Sequence, residues 1–311
     1  MKKDKLDLAV LIPLLNEESA LKDNFRQINS AFAKDNIRCR YMLIDDGSSD
    51  NTWNEITALT GQYDNISAIR FARNFGKEAA IFAGLMRMDA GTYLIMDSDL
   101  QHHPRYVSEM LKLMAEENAD IINGVKIGRG KEPLTYKIFA GWFYCLMKAL
   151  TGLDLKDSSD FKLLNRRVVD ELRRFGETRL FMRGLIAWVG YKQVDYEFEL
   201  VNRVGRKSRF SKKRLIQMAF NSVLTHTSKP LYLTILFGFI FFMGSVVLAV
   251  QTLYNYFKGF SISGFTTVIL LILLTGSMIM MSLGVIGLYL SRIYDEVKNR
   301  PAFIVSESIR A

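Results

Sequence analysis

Short apolar runs alternate with amphipathic stretches from Leu8 to Asn123. Leu8–Pro13 reads as a buried strand, and Asn16, Glu17 and Glu18 open a helix predicted to run to about Lys34. The pattern then repeats. A strand at Tyr41–Ile44 precedes helical periodicity over Thr52–Gln62, a strand at Ile66–Ala72 precedes a helix over Glu78–Met88, and a strand at Thr92–Met96 precedes a helix over Arg105–Glu117. Asp120–Asn123 reads as a further strand. Such alternation with short connections predicts an α/β fold, a mostly parallel sheet with helices on both faces. Right-handed crossovers would gather the loops after these strands along one edge.

The pattern changes after Glu199. No acidic residue occurs from Leu200 to Tyr294, and Pro230–Phe257 and Gly259–Ser291 carry no charge at all. Each exceeds the roughly 20 apolar residues that cross a bilayer, so two transmembrane helices are predicted. Gly244, Gly276, Gly284 and Gly287 fit close packing between them. Tyr136–Leu150, rich in aromatics, suits either a membrane-surface helix or one packed on the sheet. Ser211–Thr225 favours the interfacial reading, given its basic start and its place before the first span. The predicted organisation is a cytoplasmic α/β domain over 1–210, an interfacial helix over 211–228, and a two-helix hairpin with a cytoplasmic tail over 229–311.

Charge sets the orientation. The formal net charge is +9, and the basic residues cluster at Arg203–Arg214 and at Arg292, Lys298 and Arg300, whereas the intervening loop holds only Lys258. The positive-inside rule places both termini in the cytoplasm. Anionic lipid or an anionic substrate accounts for the excess, so nucleic acid is not an expected partner. The two cysteines, Cys39 and Cys145, are expected as free thiols in that compartment. No cleavable signal is read, since Met1–Asp7 is charged and Leu8–Leu15 is too short.

Candidate chemistry lies in the polar loops. Asp97 and Asp99 follow the strand at Thr92–Met96, a place where open α/β sheets bind ligands. Two carboxylates with Gln101 nearby suit a hard divalent cation holding a diphosphate, although Asp-Ser-Asp can equally cap the following helix. Asp45-Asp46-Gly47-Ser48-Ser49-Asp50 pairs two carboxylates with a turn and a helix start, and it reads either as a nucleoside contact or as a turn with a cap.

These strings occur in order with Arg73-Asn74-Phe75-Gly76-Lys77, Ser159-Asp160-Phe161-Lys162, Leu180-Phe181-Met182-Arg183-Gly184 and Trp188-Val189-Gly190. Together with Pro13 to Glu17 they resemble the inverting nucleotide-sugar glycosyltransferases of GT-A fold. The specific likeness is to the polyprenyl-phosphate branch, which includes dolichol-phosphate mannose synthases and bactoprenol glucosyltransferases. The resemblance covers nearly the whole chain. It implies a Rossmann-like catalytic domain followed by two transmembrane helices. The activity it implies is transfer of a hexose, glucose from UDP-glucose first, to undecaprenyl phosphate.

The resemblance also implies roles. Pro13, Leu15, Glu17 and Asp46 would line the nucleoside pocket, and Asp97 and Lys126 would contact the nucleotide sugar. Asp99 and Gln101 would bind Mg²⁺ or Mn²⁺. Asp160 would act as base or orient the acceptor; read from the residues alone, it could instead cap a helix or pair with Arg166 or Arg167. Arg203 and Arg209 would contact phosphates, and a homotetramer is implied as a possible assembly. His102-His103-Pro104, Lys126, Arg206-Lys207 and Arg209 depart from the family's usual residues, which leaves the sugar open among UDP-glucose, UDP-GlcNAc, UDP-galactose and GDP-mannose. The His pair is expected at the surface or in a cap, with metal ligation as the alternative. A processive synthase would need more spans and a Gln-x-x-Arg-Trp motif. An inactive nucleotide-binding membrane scaffold is the non-enzyme alternative.

Overall fold

The computed structural model describes residues 7–127, 158–176, 180–199, 229–258 and 264–310. One compact unit carries an eight-stranded sheet in the order β7-β5-β6-β4-β1-β2-β3-β8. Its strands are β1 (Leu8–Leu14), β2 (Cys39–Asp45), β3 (Ile66–Phe71), β4 (Thr92–Ile95), β5 (Ile121–Ile127), β6 (Ser158–Asn165), β7 (Gln193–Glu199) and β8 (Val305–Ile309). Helices α1 (Leu21–Lys34), α2 (Thr52–Gln62), α3 (Lys77–Arg87) and α4 (Tyr106–Glu116) connect successive strands, and α5 (Arg166–Leu172) and α6 (Met182–Trp188) lie between β6 and β7.

β1 to β4 are mutually parallel, so the loops after them share one edge, as the alternation predicts. β6 runs antiparallel to β4 and β5, which brings its N-terminal end, with Asp160, to that same edge. β6 and β7 lie beyond the strands that periodicity identifies.

Strand residues alternate between two cores, since successive side chains point to opposite faces. Leu8, Val10, Ile12, Leu43, Leu94, Phe161 and Leu163 pack on one side with Phe25, Ile56 and Val107. Ala9, Leu11, Ile44, Tyr93, Ile95 and Leu164 pack on the other with Ala80, Ala83, Leu172 and Leu185. Helix α1 starts at Leu21, later than Asn16. Asn16 has a φ of 54°, and the N–H groups of Ala20 and Leu21 bond the Glu17 carbonyl, so a turn precedes the helix.

The C-terminal tail ends as β8, antiparallel to β3, with Ala68 opposite Ile309 and Phe303 stacked on Phe71 at 5.2 Å. The second unit carries α7 (Lys229–Phe257) and α8 (Phe265–Val297). Leu236–Asn255 and Leu274–Val297, with mean hydropathies of 2.1 and 1.6, are long and apolar enough to cross a membrane. Neither stretch is buried within the protein. Tyr136–Leu150 and Ser211–Thr225 lie outside the described residues.

Candidate active site

The loops after β1 and β2 are stitched together. Asn16 N–H donates to Ser48 Oγ at 2.9 Å, Ser49 N–H returns a bond to Asn16 Oδ1 at 2.9 Å, and Glu17 N–H reaches Thr52 Oγ1 at 2.9 Å. This network presents Leu15, 41% exposed, beside half-buried Pro13 and Glu17. Gly47 makes the crossing possible. Its φ is +69°, and a Cβ there would sit 2.4 Å from the Arg73 carbonyl carbon.

Buried Asp46 braces the next loop. Its carboxylate accepts from Phe75 N–H at 2.7 Å and from Gly76 N–H at 3.0 Å. Burial raises its pKa above the usual carboxylate value, and those two bonds oppose the shift. Its neighbour Asp45, fully buried, accepts from Ser48 N–H at 2.9 Å and lies 3.4 Å from Arg70 Nε.

Strand register creates the centre of the site. Thr92 pairs with Asn165 and Ile95 with Lys162 across β4 and β6, so the same register carried two residues on sets Asp97 opposite Asp160. By alternation both point to the face of α3 and α6. Each of those helices supplies a cation. Lys77 Nζ lies 2.6 Å from Asp97 Oδ1 and 2.7 Å from Asp160 Oδ2, and Arg183 Nε lies 2.5 Å from Asp160 Oδ1. Burial pushes the Asp160 pKa up, but Arg183 and Lys77 outweigh it and hold the carboxyl well below its usual range. Burial lowers the Lys77 pKa, and the charges of Asp97 and Asp160 more than reverse that.

Glu78, the residue after Lys77, fixes α6 by accepting from Met182 N–H at 2.7 Å. Burial and then the charge of Asp160 raise its pKa. Asp160 therefore has ion partners other than Arg166, which pairs with Asp89 and Asp170. Lys162, on the same face as Asp160, is 3% exposed and bonds Asn123 Oδ1. Burial, with Arg183 nearby, lowers its pKa to about 8.

Asp99 and Gln101 lie on the loop after β4, where Asp99 Oδ1 accepts from Gln101 N–H at 3.1 Å and Leu100 takes a φ of 57°. A carboxylate and an amide oxygen two residues apart are hard donors that fit Mg²⁺ or Mn²⁺. No group of three His, Cys, Asp or Glu converges among the described residues, so such an ion would draw further ligands from substrate phosphates and water. His103 Nδ1 accepts from Arg105 N–H at 3.2 Å, just ahead of α4. His102 is not at the surface. It is 2% exposed and stacked on Phe161 at 5.0 Å, because a flat ring fills the gap between Phe161 and Phe198. Lys126 lies on β5, and Arg203 and Arg209 are outside the described residues.

Lys77, Glu78, Arg183, Lys162 and Arg70 carry no assigned role in the sequence reading. Most stand inside strings that it quotes, but only the fold shows that they converge.

Charged loops gathered at the carboxyl edge of a mostly parallel α/β sheet stand where open sheets of this kind bind ligands. Residues 9–173 match the model of glycosyl transferase family 2, and the chain belongs to that family. An uncharacterised glycosyltransferase of Bacillus subtilis, YkcC, is 29% identical over 97% of this chain and 94% of its own. A prophage-derived bactoprenol glucosyl transferase of Shigella flexneri is 28% identical over 98% of this chain and 99% of its own. Glucosyl-3-phosphoglycerate synthase of Mycobacterium tuberculosis, solved with Mn²⁺, UDP-glucose and phosphoglyceric acid, superposes with a TM-score of 0.46 at 18% identity over 71% of this chain and 78% of that one.

Proposed function

We propose that the chain transfers glucose from UDP-glucose to undecaprenyl phosphate with inversion, at the cytoplasmic face of a bacterial inner membrane. The observation that carries this is the Asp97–Lys77–Asp160–Arg183 cluster at the loop edge, in a chain similar over nearly its whole length to a bactoprenol glucosyl transferase. The topology supports a membrane hairpin. β7 and β8 belong to one sheet, which favours an even number of crossings between them, such as the two candidate spans.

In this reading Pro13, Leu15, Glu17 and Asp46 hold the nucleoside, and Asp99 with Gln101 holds a divalent cation. Mg²⁺ or Mn²⁺ would neutralise charge developing on the departing diphosphate. An acceptor phosphate oxygen attacks the anomeric carbon from the face opposite the diphosphate. A carbon–oxygen bond forms, the one to the nucleoside diphosphate breaks, and the configuration inverts. The acceptor is already ionised near neutral pH, so no strong base is required. Asp160, with both oxygens on cations, orients the site. The test is to incubate detergent-purified protein with undecaprenyl phosphate, Mg²⁺ or Mn²⁺ and a panel of labelled UDP and GDP sugars. Label from UDP-glucose should enter the lipid phase and be lost with EDTA. Label from another sugar would replace the donor, and nucleotide binding without any transfer would sink the enzyme reading.

A further inference from the structure

Polar contacts close a ring through Asp160. Lys77 Nζ lies 2.7 Å from Asp160 Oδ2, and the next residue, Glu78, accepts from Met182 N–H at 2.7 Å. The residue after Met182 is Arg183, whose Nε returns to Asp160 Oδ1 at 2.5 Å. Lys77 and Glu78 open α3, and Met182 and Arg183 open α6, so the ring ties the starts of two helices to one carboxylate on β6.

The two helix starts are held differently. That of α3 is fixed independently, because Asp46 binds the N–H groups of Phe75 and Gly76 just ahead of it. That of α6 has less to hold it. Phe181, the residue before it, has no side-chain acceptor to cap the helix, and a cavity of about 280 Å³ lined by Glu78 and Leu180 leaves open space beside the chain's approach. Met182, Leu185 and Ile186 are buried, but apolar contact is non-directional and does not stop a small slide or rotation. A hydrogen bond is directional. The Met182 N–H is one of the donors that a helix start leaves without an intrahelical partner, and Glu78 satisfies it from the neighbouring helix.

We infer that Glu78 is a positioning residue for sugar transfer, holding the start of α6 so that Arg183 meets Asp160 in one place. The inference rests on the transfer reading above. Arginine is long and rich in rotamers, so a loosened helix start would let its guanidinium sample a wider volume. Misplacing a group in a site by about 1 Å can cost about 10²-fold in rate. The adjacent pair Lys77-Glu78 thus sets both cations of Asp160, one directly and one through α6.

The test uses the full chain in detergent with UDP-glucose, Mn²⁺ and undecaprenyl phosphate. Glu78→Ala should lower kcat about tenfold or more and leave the KM for UDP-glucose within about twofold. Accepting the Met182 N–H takes an oxygen rather than a charge, so Glu78→Gln should restore kcat to within about threefold of the unaltered protein. In an Arg183→Met background, Glu78→Ala should cost no further rate, because the side chain that it positions is gone. An unchanged kcat in Glu78→Ala would overturn the proposal, and so would the same loss repeated in the Arg183→Met background. On the unaltered protein the Met182 amide should exchange its hydrogen slowly, and exchange at the rate of an open chain would overturn the proposal independently of any variant's folding. A protein that transfers no sugar from any donor would sink the transfer reading, whereas exchange at Met182, faster in Glu78→Ala and slow in Glu78→Gln, still decides whether Glu78 holds α6, so the two failures are distinct.

Discussion

Asp97 and Asp160 face each other across the β4–β6 register, and Lys77 spans them at 2.6 and 2.7 Å. Two carboxylates held this close repel unless a cation lies between them, so the strand pairing and the lysine are one device. Asp160 gains a second cation in Arg183. A carboxylate with both oxygens on cations is a poor proton acceptor and a good anchor.

Asp160→Asn should therefore abolish positioning rather than proton transfer. Sugar transfer is expected to fall by about 10²-fold or more, with nucleotide binding retained. The sign of the pH effect follows from the depressed pKa. The ion pairs form above the ordinary carboxylate pKa of about 3.9 and persist as pH falls, until the lower folded value is reached. The rate profile of the unaltered protein should show no acid limb from Asp160 between about pH 5 and 7. Such a limb, removed by Asp160→Asn, would restore the general-base role.

Gly47 tests the stitched loops. A Cβ at this position would meet the backbone of Arg73 at 2.4 Å and of Asn74 at 2.7 Å, and neither atom belongs to a side chain that could swing away. Gly47→Ala should push the loops after β2 and β3 apart and cost about 1–3 kcal/mol of stability. Because Asp46 holds Phe75 and Gly76 across the same gap, nucleotide affinity should fall with it. Isothermal titration with UDP and Mn²⁺, beside a melting curve, measures both.

The sheet, its helices and the shared loop edge were legible in the sequence because buried parallel strands read as short apolar runs between amphipathic helices. Strand β6 was not. Asp160 and Lys162 place polar residues on the α3 face, where Asp160 meets Lys77, and Ser159 is buried on the opposite face, so no apolar alternation announces it. β8 escaped for a related reason, since Ser306 and Glu307 read as tail until β3 supplies the partner edge. The carboxylates of the site could be named from their motifs. Their cations could not, because Lys77 and Arg183 lie far apart in sequence and only β4–β6 pairing gives them a common target.

Lys162 offers a separate pH signal. Burial brings its pKa from 10.5 to about 8 in the folded protein, while the unfolded chain keeps the ordinary value. Between those pH values the unfolded state holds a proton that the folded state has released, so raising pH stabilises the fold by about 1.4 kcal/mol per unit. Below pH 8 both states are protonated and the effect vanishes. Lys162→Met removes this term. The melting temperature of the unaltered protein should thus rise relative to the variant from about pH 8 to 10, and parallel curves would count against the shift.

The return of the chain after α8 reaches the loop after β2 through Arg70. Glu307 on β8 accepts from Trp53 Nε1 and from Arg70 Nη1, each at 3.0 Å, and Arg70 in turn faces buried Asp45, whose other oxygen holds Ser48. Arg70→Ala leaves a fully buried carboxylate without that cation and should cost about 3 kcal/mol. Glu307→Ala removes an exposed pair and should cost about 1 kcal/mol or less. Loss of Arg70 should also loosen Ser48 and raise the KM for the donor while the KM for the acceptor is unchanged. Adding Asp45→Asn to Arg70→Ala should recover part of the stability, because the charge that needed a partner is gone. If the double variant is no better than Arg70→Ala, the arginine acts through packing on Trp53, whose ring lies 5.9 Å from its guanidinium, and the path from β8 to the loop after β2 is lost.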